Sequence, residues 1–151
     1  MQITDTCDLL KTYCHLARTD NNTEHCAIAV GKKSSDNYLR YTILDYCPIM
    51  EFGGYATRDA VNIPRKLSLA LIRLCVNRGY VPIILHTHIK SRDETRNVSF
   101  SMTDQHFIDR FVYTAIKSGY TSSCLFFVTD GSSIMACEKS ETNERYVIIG
   151  G

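Results

Sequence analysis

The chain has 151 residues, enough for one core of ordinary size and too few for a second domain of typical size, so a single domain spanning residues 1–151 is expected. Seventeen Lys and Arg stand against 16 Asp and Glu, which gives no electrostatic reason to expect nucleic acid or an anionic membrane as partner. No apolar run approaches the roughly 20 residues of a membrane-spanning helix, and MQITDTCDLL lacks a secretory pattern, so a cytoplasmic protein is expected. Seven widely spread cysteines without a C-x-x-C pair read as buried free thiols rather than a disulfide framework.

In chain order, Leu9, Tyr13, Leu16 and Ala17 recur at helical spacing, predicting a helix from Thr4 to about Thr19 capped by Thr4 or Asp5. Cys26 to Val30 and Tyr38 to Tyr46 read as strands joined by the polar connection Gly31 to Asn37. Cys47 to Asn62, with Pro48, Gly53 and Gly54, has no regular pattern and holds a strand or a surface insertion. Pro64 opens a second helix whose apolar stripe is Leu67, Leu71, Leu74 and Cys75 and whose end is Gly79. The apolar run Val81 to Leu85 suits a strand buried on both faces, and it delivers His86 to its end.

Beyond the polar loop Ile89 to Phe100, Ser101 or Thr103 caps a third helix with Phe107, Phe111 and Ala115 inward, ending at Gly119. Cys124 to Val128, a turn at Asp130-Gly131, and Ile134 to Cys137 predict a hairpin, with Tyr146 to Ile149 as the last strand. The order predicts an α/β protein, a mixed β-sheet flanked by helices. The terminal Gly150-Gly151 reads as a chain end rather than as the tail of a modifier protein.

His86-Thr87-His88 carries the first chemical signal, because residues i and i+2 of an extended segment share a face and both imidazoles can reach one metal ion. Asp104, in the first turn of the third helix, adds an oxygen ligand if the loop folds back, and two histidines with one carboxylate leave a position of zinc open for water. A metal-bound water also wants a nearby base, and Glu24, just before the apolar strand CAIAV, is a carboxylate at the edge of the expected core that by itself reads as a surface residue. Asp93 competes with Asp104 as third ligand, and Ser99 competes with Ser101 as a hydroxyl at the site. His25 and His106 lie near these motifs and read as a strand neighbour and a surface residue.

A helix, then Glu24 before the apolar strand ending at Gly31, then ILHTH, then SMTD at a helix start, resembles the JAMM (MPN-plus) metalloprotease family over Glu24 to Asp104 and beyond. The resemblance implies a cytidine-deaminase-like sandwich and one Zn2+ held by His86, His88 and Asp104. It also implies Glu24 as general base and later acid, and Ser101 as donor to the oxyanion. The substrate it implies is a ubiquitin-like protein or its conjugate, cleaved at an amide or isopeptide bond, with E1-like and E2-like enzymes as possible partners. Two departures stand: Ile89 replaces the family's usual Pro, and the loop of twelve residues between His88 and Ser101 is longer than the family commonly has. The charged stretch Lys90 to Arg96 in that loop is placed to hold a substrate tail or simply to be solvated. The rival expectation is a catalytically inactive MPN-type scaffold or protein-binding module. Lactamase-type sites need H-x-H-x-D-H, and zinc nucleoside deaminases need H-x-E with P-C-x-x-C, and neither pattern is present.

Overall fold

A computed structural model describes residues 1–20, 22–34, 39–49, 55–56, 61–89 and 98–150. The elements are β1 (Gln2–Asp5), α1 (Leu9–Thr19), β2 (Cys26–Lys33), β3 (Arg40–Pro48), β4 (Tyr55–Ala56) and β5 (Val61–Asn62). They continue with α2 (Arg65–Arg78), β6 (Val81–Thr87), α3 (Met102–Lys117), β7 (Cys124–Thr129), β8 (Ile134–Lys139) and β9 (Glu144–Gly150). Seven strands form one mixed sheet in the order β1-β3-β2-β6-β7-β8-β9, and β4 and β5 pair separately. The expected α/β architecture, a mixed sheet flanked by helices, is the one observed.

Alternation along the central strands decides which face each side chain serves. Ala27, Ala29, Ile83, Leu85, Leu125 and Phe127 pack against Leu9 and Tyr13 of α1 on one face. Cys26, Ile28, Ile84, Phe126 and Val128 pack against Leu71, Ile72, Ile108 and Phe111 of α2 and α3 on the other. Strand β6, buried on both faces, pairs antiparallel with β2 and parallel with β7. Its C-terminal end therefore emerges at the centre of the sheet, between two neighbours that fix it.

Several boundaries differ from the expectation. The first helix starts at Leu9, and residues 2–5 form β1, parallel to β3. The capping residue is nevertheless Asp5: its carboxylate accepts the N–H groups of Leu9 at 3.1 Å and Leu10 at 2.7 Å, reaching across the turn that separates strand from helix. In α2, Leu74 is 42% exposed while Ile72 is fully buried, so the core stripe runs through Leu67, Leu71, Ile72 and Cys75. Pro64 sits at the N-cap, and Gly79 closes the helix with φ 70°, a conformation a Cβ would strain. Strands β6, β8 and β9 extend beyond the expected spans. Gly53, Gly54, Lys90 to Arg96 and Gly151 lie outside the described residues.

All seven cysteines are free thiols, and Cys26, Cys75, Cys124 and Cys137 are buried. Burial pushes the thiols of Cys75, Cys124 and Cys137 up to about 12, so they are inert packing residues. Among the described residues no helix is long and apolar enough to cross a membrane.

Candidate metal centre

Strand β6 ends at Thr87, and the next residue continues the parallel ladder, the His88 N–H donating to the Thr129 carbonyl at 2.8 Å. That bond keeps His88 extended, so His86 and His88 project to the α3 side together while Thr87 faces away. Their ring centroids are 4.9 Å apart, and their Nε2 atoms are 3.1 Å apart.

Helix α3 delivers the third group through a capping box. Ser101, at the N-cap, accepts the Asp104 N–H on Oγ at 3.1 Å, and its own N–H donates to Asp104 Oδ2 at 2.8 Å. The box turns the carboxylate toward the histidines: Oδ1 lies 3.1 Å from His86 Nε2, and Oδ2 lies 2.9 Å from His88 Nε2. His86, His88 and Asp104 offer ligand atoms all within 4.8 Å of one another. Ligands on a tetrahedral zinc, each about 2.0–2.1 Å from the ion, stand roughly 3.4 Å apart, a spacing close to the 3.1 Å between the two Nε2 atoms. Two imidazoles and one carboxylate also match zinc's preferred donors.

The three side chains are 14, 24 and 17% exposed, so the group is largely desolvated and still open to a small ion or water. Burial alone would raise the Asp104 carboxyl. Hydrogen bonds from His86 and His88, the charge of His86, and the Ser101 N–H prevail and hold it well below the ordinary carboxylate range.

Glu24 precedes β2 and is half-buried. Cys26 and His86 form the last pair of the β2–β6 ladder, and Glu24 stands two residues before Cys26. Burial, with the charge of Glu24 adding to it, pushes the Cys26 thiol up. The segment is clamped to β6 by Thr87, whose N–H donates to the His25 carbonyl at 2.8 Å and whose hydroxyl accepts the His25 N–H at 2.7 Å.

Ser101 thus stands beside the ligand group, with one lone pair of its hydroxyl used by the cap and the hydroxyl hydrogen left for a further acceptor. Ser99 is exposed between buried Val98 and Phe100. Asp93, the alternative ligand, lies outside the described residues. His25 pairs with Asp20 at 2.7 Å, and His106 lines a shallow cleft with Thr103, Asp109 and Arg110, so neither belongs to the ligand group.

The sequence reading passed over Thr87 and Phe100. The parity of β6 already put Thr87 on the face opposite the histidines. Phe100, buried with its ring centroid 6.1 Å from that of His86, reads in the sequence only as the end of the polar loop Ile89 to Phe100.

No protein-family model matches the chain, and no curated protein matches it.

Proposed function

We propose that this protein is a zinc-dependent isopeptidase of the JAMM (MPN-plus) type, on a cytidine-deaminase-like sandwich, cleaving an amide or isopeptide bond after the tail of a ubiquitin-like protein. The observation that carries the reading is the convergence of His86, His88 and Asp104 from a strand end and a helix start, with Glu24 two residues before the Cys26–His86 pair. The resemblance of ILHTH and SMTD to the family's motifs supplies the substrate class.

Zinc held by His86, His88 and Asp104 supplies Lewis acidity and makes water acidic enough to serve as nucleophile near neutral pH. Glu24 takes the proton of the attacking water as its oxygen bonds to the carbonyl carbon, and returns it to the departing amine as the carbon–nitrogen bond breaks. Ser101 donates its hydroxyl hydrogen to the carbonyl oxygen as charge develops there. The capping box keeps Asp104 ionised and oriented throughout, so the ligand set needs no rearrangement between turnovers.

One observation favours a second reading, an inactive MPN-type scaffold. The bonds of Asp104 to Ser101 and both histidines also make a self-sufficient polar cap on α3.

Elemental analysis of wild type and His88→Ala, paired with cleavage of a ubiquitin-like fusion with and without chelator, separates the two. The isopeptidase requires about one zinc per chain, lost with His88 together with cleavage. A wild type that stays metal-free after zinc is supplied leaves the scaffold.

A further inference from the structure

The turn between β7 and β8, Thr129 to Ser133, is buried apart from Ser132, where turns ordinarily lie at the surface: Thr129 is 0%, Asp130 4% and Ser133 4% exposed. It is fixed from within. Asp130 Oδ1 accepts the N–H groups of Ser132 and Ser133, each at 2.9 Å, and the Ser132 hydroxyl at 2.9 Å. The Thr129 hydroxyl donates to the Ser133 carbonyl at 2.8 Å and accepts the Gly131 N–H at 3.0 Å.

Two acceptors of this turn reach outward, and each holds one arm of the metal centre. The Thr129 carbonyl takes the His88 N–H, as described, and Ser133 Oγ takes the buried Val98 N–H at 2.8 Å. Val98 begins the run through Phe100 to Ser101, whose N–H holds the Asp104 carboxylate. Phe100 is packed between the rings of His86 and Tyr146, at 6.1 and 5.8 Å between centroids. One rigid turn therefore grips the chain on the histidine side and on the carboxylate side.

We infer that Ser133 is a positioning residue for the metal centre: its hydroxyl anchors residues 98–101 to the turn that holds His88, and so sets where Asp104 stands relative to the two imidazoles. This rests on His86, His88 and Asp104 being metal ligands. A twelve-residue connection between His88 and Ser101 does not by itself fix the carboxylate, and the ordering free energy of an unanchored arm would be charged against metal affinity. The Ser133 hydroxyl bond meets that requirement before the ion arrives.

The test uses Co2+ as the probe, titrated against a chelator of known affinity into wild type, Ser133→Ala and Ser133→Thr, with visible absorption recorded and metal-free melting measured in parallel. Loss of a partner bonded directly to a ligand weakens metal binding by about 10- to 100-fold; Ser133 acts one step further out, so Ser133→Ala should bind cobalt more weakly by up to about 10-fold, with altered d–d bands. Ser133→Thr, which keeps the hydroxyl, should recover the wild-type spectrum. A Ser133→Ala chain that melts lower yet binds cobalt with unchanged affinity and spectrum overturns the inference and leaves Ser133 a fold-stabilising residue only. Hydrogen exchange on the wild type tests the same point without any variant: cobalt should slow exchange of the Val98 amide, and unchanged exchange overturns the coupling. A wild type that takes up no cobalt overturns the metal centre itself, and the inference with it.

Discussion

The carboxylate of Asp104 serves two structures at once, completing the capping box of α3 and facing the two imidazoles. Asp104→Asn separates these roles, because an amide oxygen still accepts the Ser101 N–H but is a poorer ligand and carries no charge. Metal-free stability should fall by about 1 kcal/mol near neutral pH, the worth of one hydrogen bond. Zinc affinity should fall by more than the roughly 100-fold typical of losing an outer-shell partner. The stability deficit has a defined pH course. A carboxyl whose folded-state pKa lies below its unfolded value, roughly 3.9, contributes in full above that value and loses the contribution as pH falls further. Denaturant midpoints of the two metal-free chains should therefore converge as the pH is taken below about 4. The grouping of His86, His88 and Asp104 was legible in the sequence because each sits in a short motif with its own spacing. Ser133 was not: the bond from Val98 to its hydroxyl spans a sequence separation of 35, and no local pattern announces it.

At the scale of the element, periodicity located the three helices and the strands β2, β3, β6, β7, β8 and β9, and local chemistry moved their ends. Thr4 or Asp5 reads as the cap of a helix that begins near Thr4, yet the helix starts at Leu9, because Asp5 itself closes β1 and its carboxylate reaches forward to Leu9 and Leu10. Strand β1 escaped the reading because its partner is the distant β3, with Ile3 in register with Tyr41. Removing the carboxylate in Asp5→Ala should cost about 1 kcal/mol, within the range for capping residues, and thermal melts should show it with or without metal. An equal loss of zinc affinity in that variant would be a surprise, since α1 packs on the opposite face from the ligand group. At Leu74, helical spacing leaves open which flank of the stripe Leu67, Leu71 and Cys75 turns inward, and packing against β2 and β6 chose Ile72.

Across the whole molecule, the ligand group sits where the sheet changes character. Strand β6 is antiparallel to one neighbour and parallel to the other, and the parallel partner β7 is reached only by the long crossover through α3. His88 is held by β7, and Asp104 rides on the crossover itself. Non-local parallel pairing is among the slower steps of folding, because chain closure must precede the contacts that reward it. An ion held by this group would thus be excluded from the early history of the chain: it would arrive at a finished binding group instead of gathering one around itself. In stopped-flow refolding with Co2+ present, far-ultraviolet circular dichroism should recover first, and the cobalt absorption should grow in only with the final phase, at a rate independent of metal concentration. Colour that appears ahead of the secondary structure would mean that the two histidines recruit metal before β6 and β7 have paired. If the expected order holds, cobalt colour is a clock for the last step of folding in a chain that has no tryptophan to report it.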